Sequence, residues 1–304
     1  MTAPRPTVDL NQLATEQRNS AAELLDTLSA DQIARVLNAE DARVAPAVEH
    51  ALPEIARAID AIAQALSRGG RLIYVGAGTS GRIAALDASE CPPTFNTDPR
   101  AVQCVIAGGA RALNSAAEIN EDSPRLGRRD LAKKRPTKKD VVVGISASGR
   151  TPYTLGALEY ARERGAATVA VTGNPGSPLA QAAEIAIVIE TGPEVVAGST
   201  RLKAGTAQKL ALNMLSTGAM TRLGYVYGNL MVNVHLKNRK LVERGLSILE
   251  RAAGLNREAA RKALKAAGNS VPVALVMLKA HVSRPEARRR LAGAHGHVRK
   301  AIEG

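Results

Sequence analysis

Two acidic segments of this sequence contain residues that could carry acid–base chemistry. Glu90 ends the segment Asp87–Glu90, and Glu121 lies with Glu118 and Asp122 in an acidic cluster, although the chain has a net charge of +13. Two carboxyl groups in opposite protonation states can act as general acid and general base. The cluster around Glu121 could equally be a solvated helix end, which would need no function.

A glycine-rich loop precedes Glu90. The apolar run Leu72–Val75 predicts a buried strand, and the sequence Gly-Ala-Gly-Thr-Ser-Gly follows it, before a helix predicted over Arg82–Leu86. Backbone N–H groups of glycines, nearby hydroxyls and a helix N-terminus together form an anion site. The residues predicted to contact a ligand here are Gly78, Thr79 and Ser80. An ordinary strand-to-helix turn has a similar composition, so this loop alone is weak evidence.

The position of Glu90 follows from the same helix. Glu90 comes about three turns after the loop, and we expect Pro92 and Pro93 to stop the helix there. We therefore expect Glu90 to lie near the anion site and to be the buried carboxyl group of the pair.

A second hydroxyl-rich loop strengthens this prediction. The run Asp140–Ile145 contains three consecutive valines, which is typical of a strand buried on both faces of a parallel sheet. A helix is predicted from Pro152 to about Arg164, so the loop again lies at a helix N-terminus. Its predicted phosphate contacts are Ser146, Ser148, Gly149, Arg150 and Thr151.

A third polar segment, residues 191–209, begins another long helix. Hydroxyl and cationic side chains at a helix N-terminus favour an anion or a sugar ligand. We take Glu194, Ser199 and Lys203 as candidate substrate contacts.

Three further apolar runs, at residues 101–107, 167–172 and 185–189, predict additional strands. Strands alternating with helices predict an α/β fold with a doubly wound parallel sheet, whose ligands bind beyond the carboxyl ends of the strands. We expect three regions: an N-terminal helical segment over residues 1–67, the α/β domain over 68–242, and a small C-terminal helical bundle over 243–304. Within them, we predict helices over 21–28 and 112–119, a helix that opens at Ser29 as N-cap, and a helix ending near Val242. We also predict three short helical patterns after Ser247, separated at residues 254–256, 268–270 and 283–285.

Composition limits the classes of function. Aromatic residues make up 2% of the chain, and no helix-turn-helix pattern accompanies the positive charge, so we expect no nucleic-acid partner. No apolar run is long enough to span a membrane, and two cysteines fit a reducing cytoplasmic setting. The pair His295-Gly-His297 offers too few ligands for a metal site. The Gly-x-Gly loop after the first strand lacks the third glycine of a dinucleotide-binding loop, so we expect neither metal nor cofactor.

These motifs, taken together, resemble one family. The segments GAGTSGR, DASECPPTF, EDS, GISASGRTPY, TGNPGS and EVVAGSTRLKAGTAQKLALNMLSTG are similar to those of the N-acetylmuramic acid 6-phosphate etherases, which belong to the sugar isomerase (SIS) superfamily of phosphosugar-binding proteins. The likeness runs from about Thr15 to the C-terminus. Two positions depart from the family pattern: Glu118-Ile-Asn-Glu-Asp122 replaces Glu-Gly-Ala-Glu-Asp, and Asn233 replaces Asp.

The resemblance implies a cytoplasmic carbon–oxygen lyase that works without a cofactor in cell-wall amino-sugar recycling. Such an enzyme cleaves the D-lactyl ether of its phosphosugar substrate by elimination and water addition. By resemblance, Glu90 is the proton donor and Glu121 the second catalytic carboxylate, while SASGRT is the phosphate loop and GAGTSG the sugar loop.

The resemblance also implies a homodimer. The apolar face Leu210, Met214 and Leu215 is then either a subunit contact or intramolecular core. Two other functions stay open at this point: a phosphosugar-sensing regulator similar to the glucokinase regulatory protein, and a phosphosugar isomerase, for which Glu194 would be the catalytic candidate.

Overall fold

A five-stranded parallel sheet forms the centre of the computed structural model, which describes residues 14–115, 120–234, 236 and 238–304. Its strand order is β2-β1-β3-β4-β5, which is a doubly wound arrangement with the topological switch between β1 and β3. The sequence-based prediction of an α/β fold is confirmed. The strands are β1 (Leu72–Gly76), β2 (Val102–Ile106), β3 (Val141–Ile145), β4 (Ala167–Thr172) and β5 (Ile185–Val188).

Helices cover both faces of the sheet. The first eight are α1 (Ala30–Asp41), α2 (Val44–Glu49), α3 (Leu52–Ser67), α4 (Gly78–Phe95), α5 (Pro124–Ala132), α6 (Pro152–Glu163), α7 (Pro178–Ala182) and α8 (Lys203–Arg222). The last five are α9 (Arg239–Ala253), α10 (Arg257–Ala266), α11 (Val271–Ala280), α12 (Arg284–Gly293) and α13 (Val298–Glu303).

Side chains of the central strand β1 point alternately into two layers of the core, one on each face of the sheet. Leu72 and Tyr74 face a cluster that includes residues of α2, α3, α4 and α8, whereas Ile73 and Val75 face a cluster that includes residues of α5 and α6. Side chains of successive strand residues point to opposite faces, so a strand covered on both sides must be apolar throughout. All five residues of β1 are buried.

The N-terminal region differs from the prediction over residues 21–28. Short 3-10 turns at Ser20–Ala22 and Leu25–Thr27 replace the expected helix, and the Leu24 side chain is 67% exposed. The apolar pattern of this short segment therefore does not face the core. The next helix begins as predicted, since the Ser29 hydroxyl and the Gln32 side chain form a capping box at the start of α1.

Helix α4 is longer than predicted at both ends. It starts at Gly78, inside the glycine-rich loop, and it continues through Pro92 and Pro93 to Phe95. Proline removes a backbone donor but its fixed φ is compatible with a helix, and here the two prolines lie in the last turn. The helix ends at Asn96, which has a left-handed backbone (φ 54°).

The C-terminal region also differs in part. The predicted helix ending near Val242 is wrong: the described residues between Gly224 and Asn238 contain turns and a bridge between Tyr227 and Leu230, and α9 starts only at Arg239. The predicted breaks around residues 254–256, 268–270 and 283–285 are confirmed, but the number of helices is not. Five helices occupy residues 239–303, and a further break, between Gly293 and Val298, separates the last two.

These C-terminal helices share a hydrophobic cluster of their own, which also includes Val232 and Val234. The domain boundary at residue 242 stays a prediction. The helix predicted over 112–119 falls partly on residues 116–119, which lie outside the described residues; a 3-10 helix occupies Gly109–Leu113.

Candidate functional site

The two predicted ligand loops lie side by side. Strands β1 and β3 are hydrogen-bonded neighbours, with Gly76 opposite Ile145, so the loops that follow them leave the sheet at the same edge. This is the edge formed by the carboxyl ends of the strands, at the topological switch point where ligands of such sheets bind. Tertiary structure therefore joins two segments that are about 70 residues apart in the sequence.

Hydroxyl groups and backbone N–H groups converge in the second loop, Ser146–Thr151. The Ser146 Oγ lies 2.8 Å from the Thr151 Oγ1 and 3.4 Å from the Ser148 Oγ. Ser146 also accepts a hydrogen bond from the Gly149 N–H at 3.1 Å, and Ser148 accepts one from the Arg150 N–H at 3.2 Å. A hydroxyl hydrogen is free to rotate, so these hydroxyls can exchange their hydrogen bonds to each other for hydrogen bonds to an anion.

Gly149 fixes the shape of this loop. Its φ is +67°, and a Cβ there would lie 2.2 Å from the Ser177 Oγ and 2.6 Å from the Thr172 Oγ1. The Asn174 amide supports the loop from the same side by donating to the Ala147 carbonyl at 3.1 Å. On the sequence alone, TGNPGS was only one segment of the family pattern, and we did not predict that it supports the second loop. The position of this segment directly after a predicted strand could have indicated that role.

Arg150 provides an unused donor at the loop. Its Nε is buried and has no hydrogen-bond partner among the described residues. A buried polar group without a partner is costly, and an absent ligand is one of its common explanations. The loop also precedes Pro152, the first residue of α6, so the positive end of the helix dipole faces it.

The structure brings Glu121 to the first loop. A Cβ on Gly78 would lie 3.1 Å from the Glu121 Oε1, and Gly78 is the first residue of α4. The backbone of Glu121 also accepts a hydrogen bond of 2.9 Å from the Tyr153 N–H in the first turn of α6. Glu121 therefore lies between the N-termini of the helices that follow the two loops.

Close packing of α5 against α6 keeps the Glu121 segment in this position. A Cβ on Gly127 would lie 1.9 Å from the Tyr153 carbonyl oxygen, and one on Gly156 would lie 2.4 Å from the Pro124 carbonyl oxygen. The Ser123 side chain caps α5 by accepting from the Leu126 N–H. Glu118, the other glutamate of the acidic cluster, lies outside the described residues.

Glu90 is not part of this arrangement within one chain. It is twelve residues beyond Gly78 on α4, which places it about 18 Å along the helix from the first loop. It is also exposed, contrary to the expectation that it is the buried carboxyl group. A positioned acid must come within hydrogen-bonding reach of the leaving group, so the two glutamates of a single chain do not meet.

The third segment forms a buried polar network. The Glu194 carboxylate accepts hydrogen bonds from the Lys203 and Ala204 N–H groups at 3.0 and 2.9 Å, which caps the N-terminus of α8. Burial raises the pKa of Glu194, although these hydrogen bonds act against the shift. The Lys203 ammonium, 1% exposed, pairs with Glu40, which also accepts from Asn19 at 2.7 Å.

Glu194 and Lys203 thus have structural roles inside the chain, and a contact between either and a substrate stays a prediction. Ser199 is half-buried just before α8. The first turn of this helix lies beside the first loop, since a Cβ on Gly205 would lie 3.5 Å from the Thr79 Cγ2. Of the apolar face Leu210, Met214 and Leu215, Leu215 is fully buried in the core under the sheet, and Leu210 and Met214 are half-buried against it. A subunit contact at the two half-buried residues stays a prediction.

Asn233, one of the two departures from the family pattern, has a clear structural role. Its side-chain N–H donates a hydrogen bond of 2.8 Å to the Phe95 carbonyl. This carbonyl is at the C-terminal end of α4, where carbonyl groups have no hydrogen-bond partner within the helix. An ionised aspartate has no N–H to donate there.

The described residues contain no group of three or more His, Cys, Asp and Glu side chains arranged to hold a metal ion. Among their helices, none combines the length and apolar character needed to cross a bilayer.

Comparisons with known proteins agree with these features. The profile of the glucokinase regulatory protein N-terminal SIS domain matches residues 54–162, and the SIS domain profile matches residues 110–218. An N-acetylmuramic acid 6-phosphate etherase from Aeromonas hydrophila is 53% identical over 96% of this chain and 98% of its own length. One from Klebsiella aerogenes is 52% identical over 97% and 98%.

Solved structures show the same fold at lower identity. A phosphoheptose isomerase from Francisella tularensis superposes with a TM-score of 0.50 at 20% identity, over 64% of this chain and 99% of its own. One from Neisseria gonorrhoeae gives 0.50 at 18% identity, over 64% and 100%.

Proposed function

Because the chain belongs to the N-acetylmuramic acid 6-phosphate etherase family, we propose that it cleaves the D-lactyl ether of N-acetylmuramic acid 6-phosphate. The products are N-acetylglucosamine 6-phosphate and D-lactate, formed in the recycling of cell-wall amino sugars. One observation connects this proposal with the site. The Glu121 carboxylate lies at the start of α4, and the Glu121 backbone is hydrogen-bonded to the start of α6. A sugar whose phosphate occupies the Ser146–Thr151 loop would extend toward that carboxylate.

The reaction is an elimination followed by addition of water, which makes the enzyme a carbon–oxygen lyase. In the open-chain sugar, the aldehyde makes the proton on carbon 2 acidic enough for a carboxylate base. Lactate leaves from carbon 3 with a proton from a general acid, and water then adds across the double bond. The steps need one base and one acid, and no electron transfer or hydride transfer occurs.

Glu121 has the position expected of the base. The N-terminus of α4 favours the ionised form of a nearby carboxyl group and also offers backbone N–H groups to a developing enolate oxygen. The hydroxyls of Ser146, Ser148 and Thr151 hold the phosphate, which is remote from the reacting carbons.

The proposed acid, Glu90, must come from a second subunit. Within one chain it is about 18 Å along α4 from Gly78, beyond the reach of a proton donor. One turn earlier on the same helix, Leu86 is an exposed large apolar side chain, 52% accessible. An apolar residue beside an exposed acid supports a homodimer in which this surface packs against the partner and delivers Glu90 to its site.

Subunit mixing tests the shared site. Glu90→Ala and Glu121→Ala proteins are each expected to be inactive, but a heterodimer of the two contains one site with both carboxyl groups intact. After mild unfolding and refolding of an equal mixture, activity should recover to about a quarter of the wild-type value, because half of the dimers are heterodimers with one complete site each. No recovery in a mixture shown to exchange subunits would place both glutamates in the same chain. A monomer by light scattering would reject the dimer itself.

The alternatives are less well supported. A phosphosugar-sensing regulator is suggested only by the profile match over residues 54–162, and an isomerase only by the shared fold. Neither accounts for identity above 50% to the etherases over nearly the full chain.

The deciding experiment is incubation of the purified protein with N-acetylmuramic acid 6-phosphate and an assay for D-lactate. We expect release of D-lactate without added metal or nicotinamide, with no effect of a chelator, and very poor turnover of the unphosphorylated sugar. A requirement for NAD or loss of activity with chelator would contradict the mechanism. We also infer a cytoplasmic location, which the two unpaired cysteines fit.

A further inference from the structure

A second cleft lies at the opposite end of the sheet from the proposed active site. Its walls include Arg71 just before β1, Ala101 just before β2 and Lys134 in the segment leading to β3. The amino ends of parallel strands share one edge, which here is about 16 Å from the carboxyl-end loops for strands of five residues. The far wall comes from the C-terminal helices, through His297 and Lys300. The cleft measures about 960 Å³, a size typical of small-molecule sites.

The cleft is strongly cationic, and part of its charge is not neutralised. Several of its cations already have carboxylate partners; Arg71 is paired with Asp140, and Arg100 with Asp98. Lys134 and Lys300 have no ion pair among the described residues. Two ammonium groups facing one cleft without counter-ions favour a ligand with about two negative charges.

A buried donor accompanies these two lysines. Thr97 lines the same cleft, its side chain is only 9% exposed, and its hydroxyl has no hydrogen-bond partner among the described residues. A buried hydroxyl without a partner indicates a missing acceptor. Beside these polar groups, Leu66, Leu223 and Tyr225 form an apolar part of the wall.

The two walls are fixed to each other. The His297 ring packs on Gly224, where a Cβ would lie 2.4 Å from the His297 Cγ, and Gly224 has a φ of +81°. The His297 Nδ1 accepts from the Lys300 N–H at 3.4 Å and so caps α13. Contact between the turn after α8 and the start of α13 therefore fixes Lys300 in the wall of the cleft that Lys134 also lines.

We propose that this cleft binds a small phosphate monoester, at a site separate from the active site. The phosphate group would lie between Lys134 and Lys300 and accept a hydrogen bond from Thr97. The organic group would pack on Leu66, Leu223 and Tyr225. A phosphate dianion matches two ammonium donors and one hydroxyl donor in both charge and number of acceptor oxygens. This ligand would bridge the α/β domain and the C-terminal helices.

Titration calorimetry with two probes, AMP and inorganic phosphate, tests the proposal. Ser148→Ala protein is used throughout to weaken phosphate binding at the Ser146–Thr151 loop. We expect AMP to bind in this background and to bind more tightly than inorganic phosphate. Adding Lys134→Ala and Lys300→Ala together should weaken AMP binding by at least about tenfold, the loss expected when a charged hydrogen bond is removed.

Two control proteins match this variant. Lys265 and Lys279 are exposed lysines of α10 and α11 with no ion pair among the described residues, so the double change Lys265→Ala and Lys279→Ala removes the same charge elsewhere. Its AMP affinity should equal that of the background. Replacing Lys134 and Lys300 by arginine keeps the charge and should retain binding.

Three results would overturn the proposal. Absence of AMP binding at millimolar concentration would refute the site, and so would equal loss of affinity in the test and control variants. Equal affinity for AMP and inorganic phosphate would refute the role of the apolar wall. None of these readouts depends on the etherase reaction, so the two proposals fail separately.

Discussion

The two ends of the sheet are built for anions in different ways. At the carboxyl ends, short hydroxyls and backbone N–H groups lie in a loop that Gly149 allows to pack against Ser177 and Thr172. At the amino ends, the free groups are the long side chains of Lys134 and Lys300 around an open cleft. Short side chains on a rigid backbone lose little conformational entropy on binding, and they can select a ligand by its geometry. Flexible lysines supply charge with little directional preference.

Each end also contains an ion pair with a buried carboxylate, and the two pairs differ in exposure. The Lys203 and Glu40 side chains are 1% and 6% exposed, whereas Arg71 is 26% exposed beside a buried Asp140. The Lys203 pair supports the start of α8, next to the first ligand loop. The Arg71 pair ties the start of β1 to the segment before β3, since Arg71 also donates to the Lys134 carbonyl. A polar network therefore positions an element at each end, and only one lies near the proposed chemistry.

The largest effect should come from Glu121 at the carboxyl end. Glu121→Ala should reduce both exchange of the carbon 2 proton with solvent deuterium and D-lactate release by about 10²–10⁴-fold, the usual contribution of a positioned base. Glu90→Ala should stop lactate release but retain exchange, since proton abstraction precedes departure of the leaving group. Proton NMR in deuterium oxide measures the exchange. Glu49→Ala, an exposed glutamate of α2, is the control; normal exchange in Glu121→Ala would move the base to Glu194.

The buried ion pair gives the next largest effect. Glu40→Ala leaves the Lys203 ammonium buried without a carboxylate and should lower the free energy of unfolding by about 3–5 kcal/mol. The Michaelis constant should rise as well, because α8 begins at Lys203. Asp31→Ala, which breaks the exposed pair with Arg35, should cost less than about 1 kcal/mol. Denaturant titration and initial rates provide the two readouts. An unchanged Michaelis constant in folded Glu40→Ala would separate this pair from the site.

The same pair should produce a pH dependence of stability. Burial alone would raise the pKa of Glu40, but hydrogen bonds from Lys203, Asn19 and Arg43 outweigh it and lower the pKa from 4.5 to about 2. The lowered value means that the stabilisation is complete above about pH 4.5 and is lost as the pH falls toward 2. Glu40→Gln should flatten this part of the stability curve. Unfolding measured between pH 2 and 6 checks the slope, and a curve parallel to wild type would contradict the assignment.

A glycine comparison tests the rigidity of the carboxyl-end loop. Gly149→Ala combines a left-handed backbone with a clash against Ser177, whereas Gly176→Ala has a similar φ of +64° and no atom within 4 Å. The control should lose about 1–2 kcal/mol of stability, the cost of a left-handed non-glycine residue. Gly149→Ala should lose more and also raise the Michaelis constant. Equal losses in the two variants would show that loop packing does not matter.

The smallest effect should come from one hydroxyl. Ser148→Ala should mainly raise the Michaelis constant, because the phosphate is remote from the reacting carbons. The expected loss of binding is about 1.5–3 kcal/mol, the contribution of a hydrogen bond to a charged group. Ser67→Ala, which removes an exposed hydroxyl at the end of α3, should change nothing. A fall in turnover with an unchanged Michaelis constant would place Ser148 near the reacting carbons instead.

The sequence by itself predicted all five strands and both ligand loops, because buried parallel strands are continuous apolar runs that end in glycine and hydroxyl residues. It also predicted three of the breaks between the C-terminal helices, from their Gly, Asn, Ser and Pro residues, and missed the break before α13. It failed at residues 21–28 and at the described residues between 224 and 238, where local apolar patterns did not determine a helix. The reason is that a short amphipathic segment is helical only if tertiary packing covers its apolar face.

Tertiary structure alone determined which groups meet. The pairing of β1 with β3 places the two loops together, and the packing of α5 on α6 brings Glu121 to Gly78. The uninterrupted helix α4 separates Glu90 from that site within one chain, although Glu90 is near the first loop in the sequence. Two residues that are twelve positions apart on a helix are about 18 Å apart in space. Residues about forty positions apart in the sequence can be in contact when the order of the strands brings both to the switch point of the sheet.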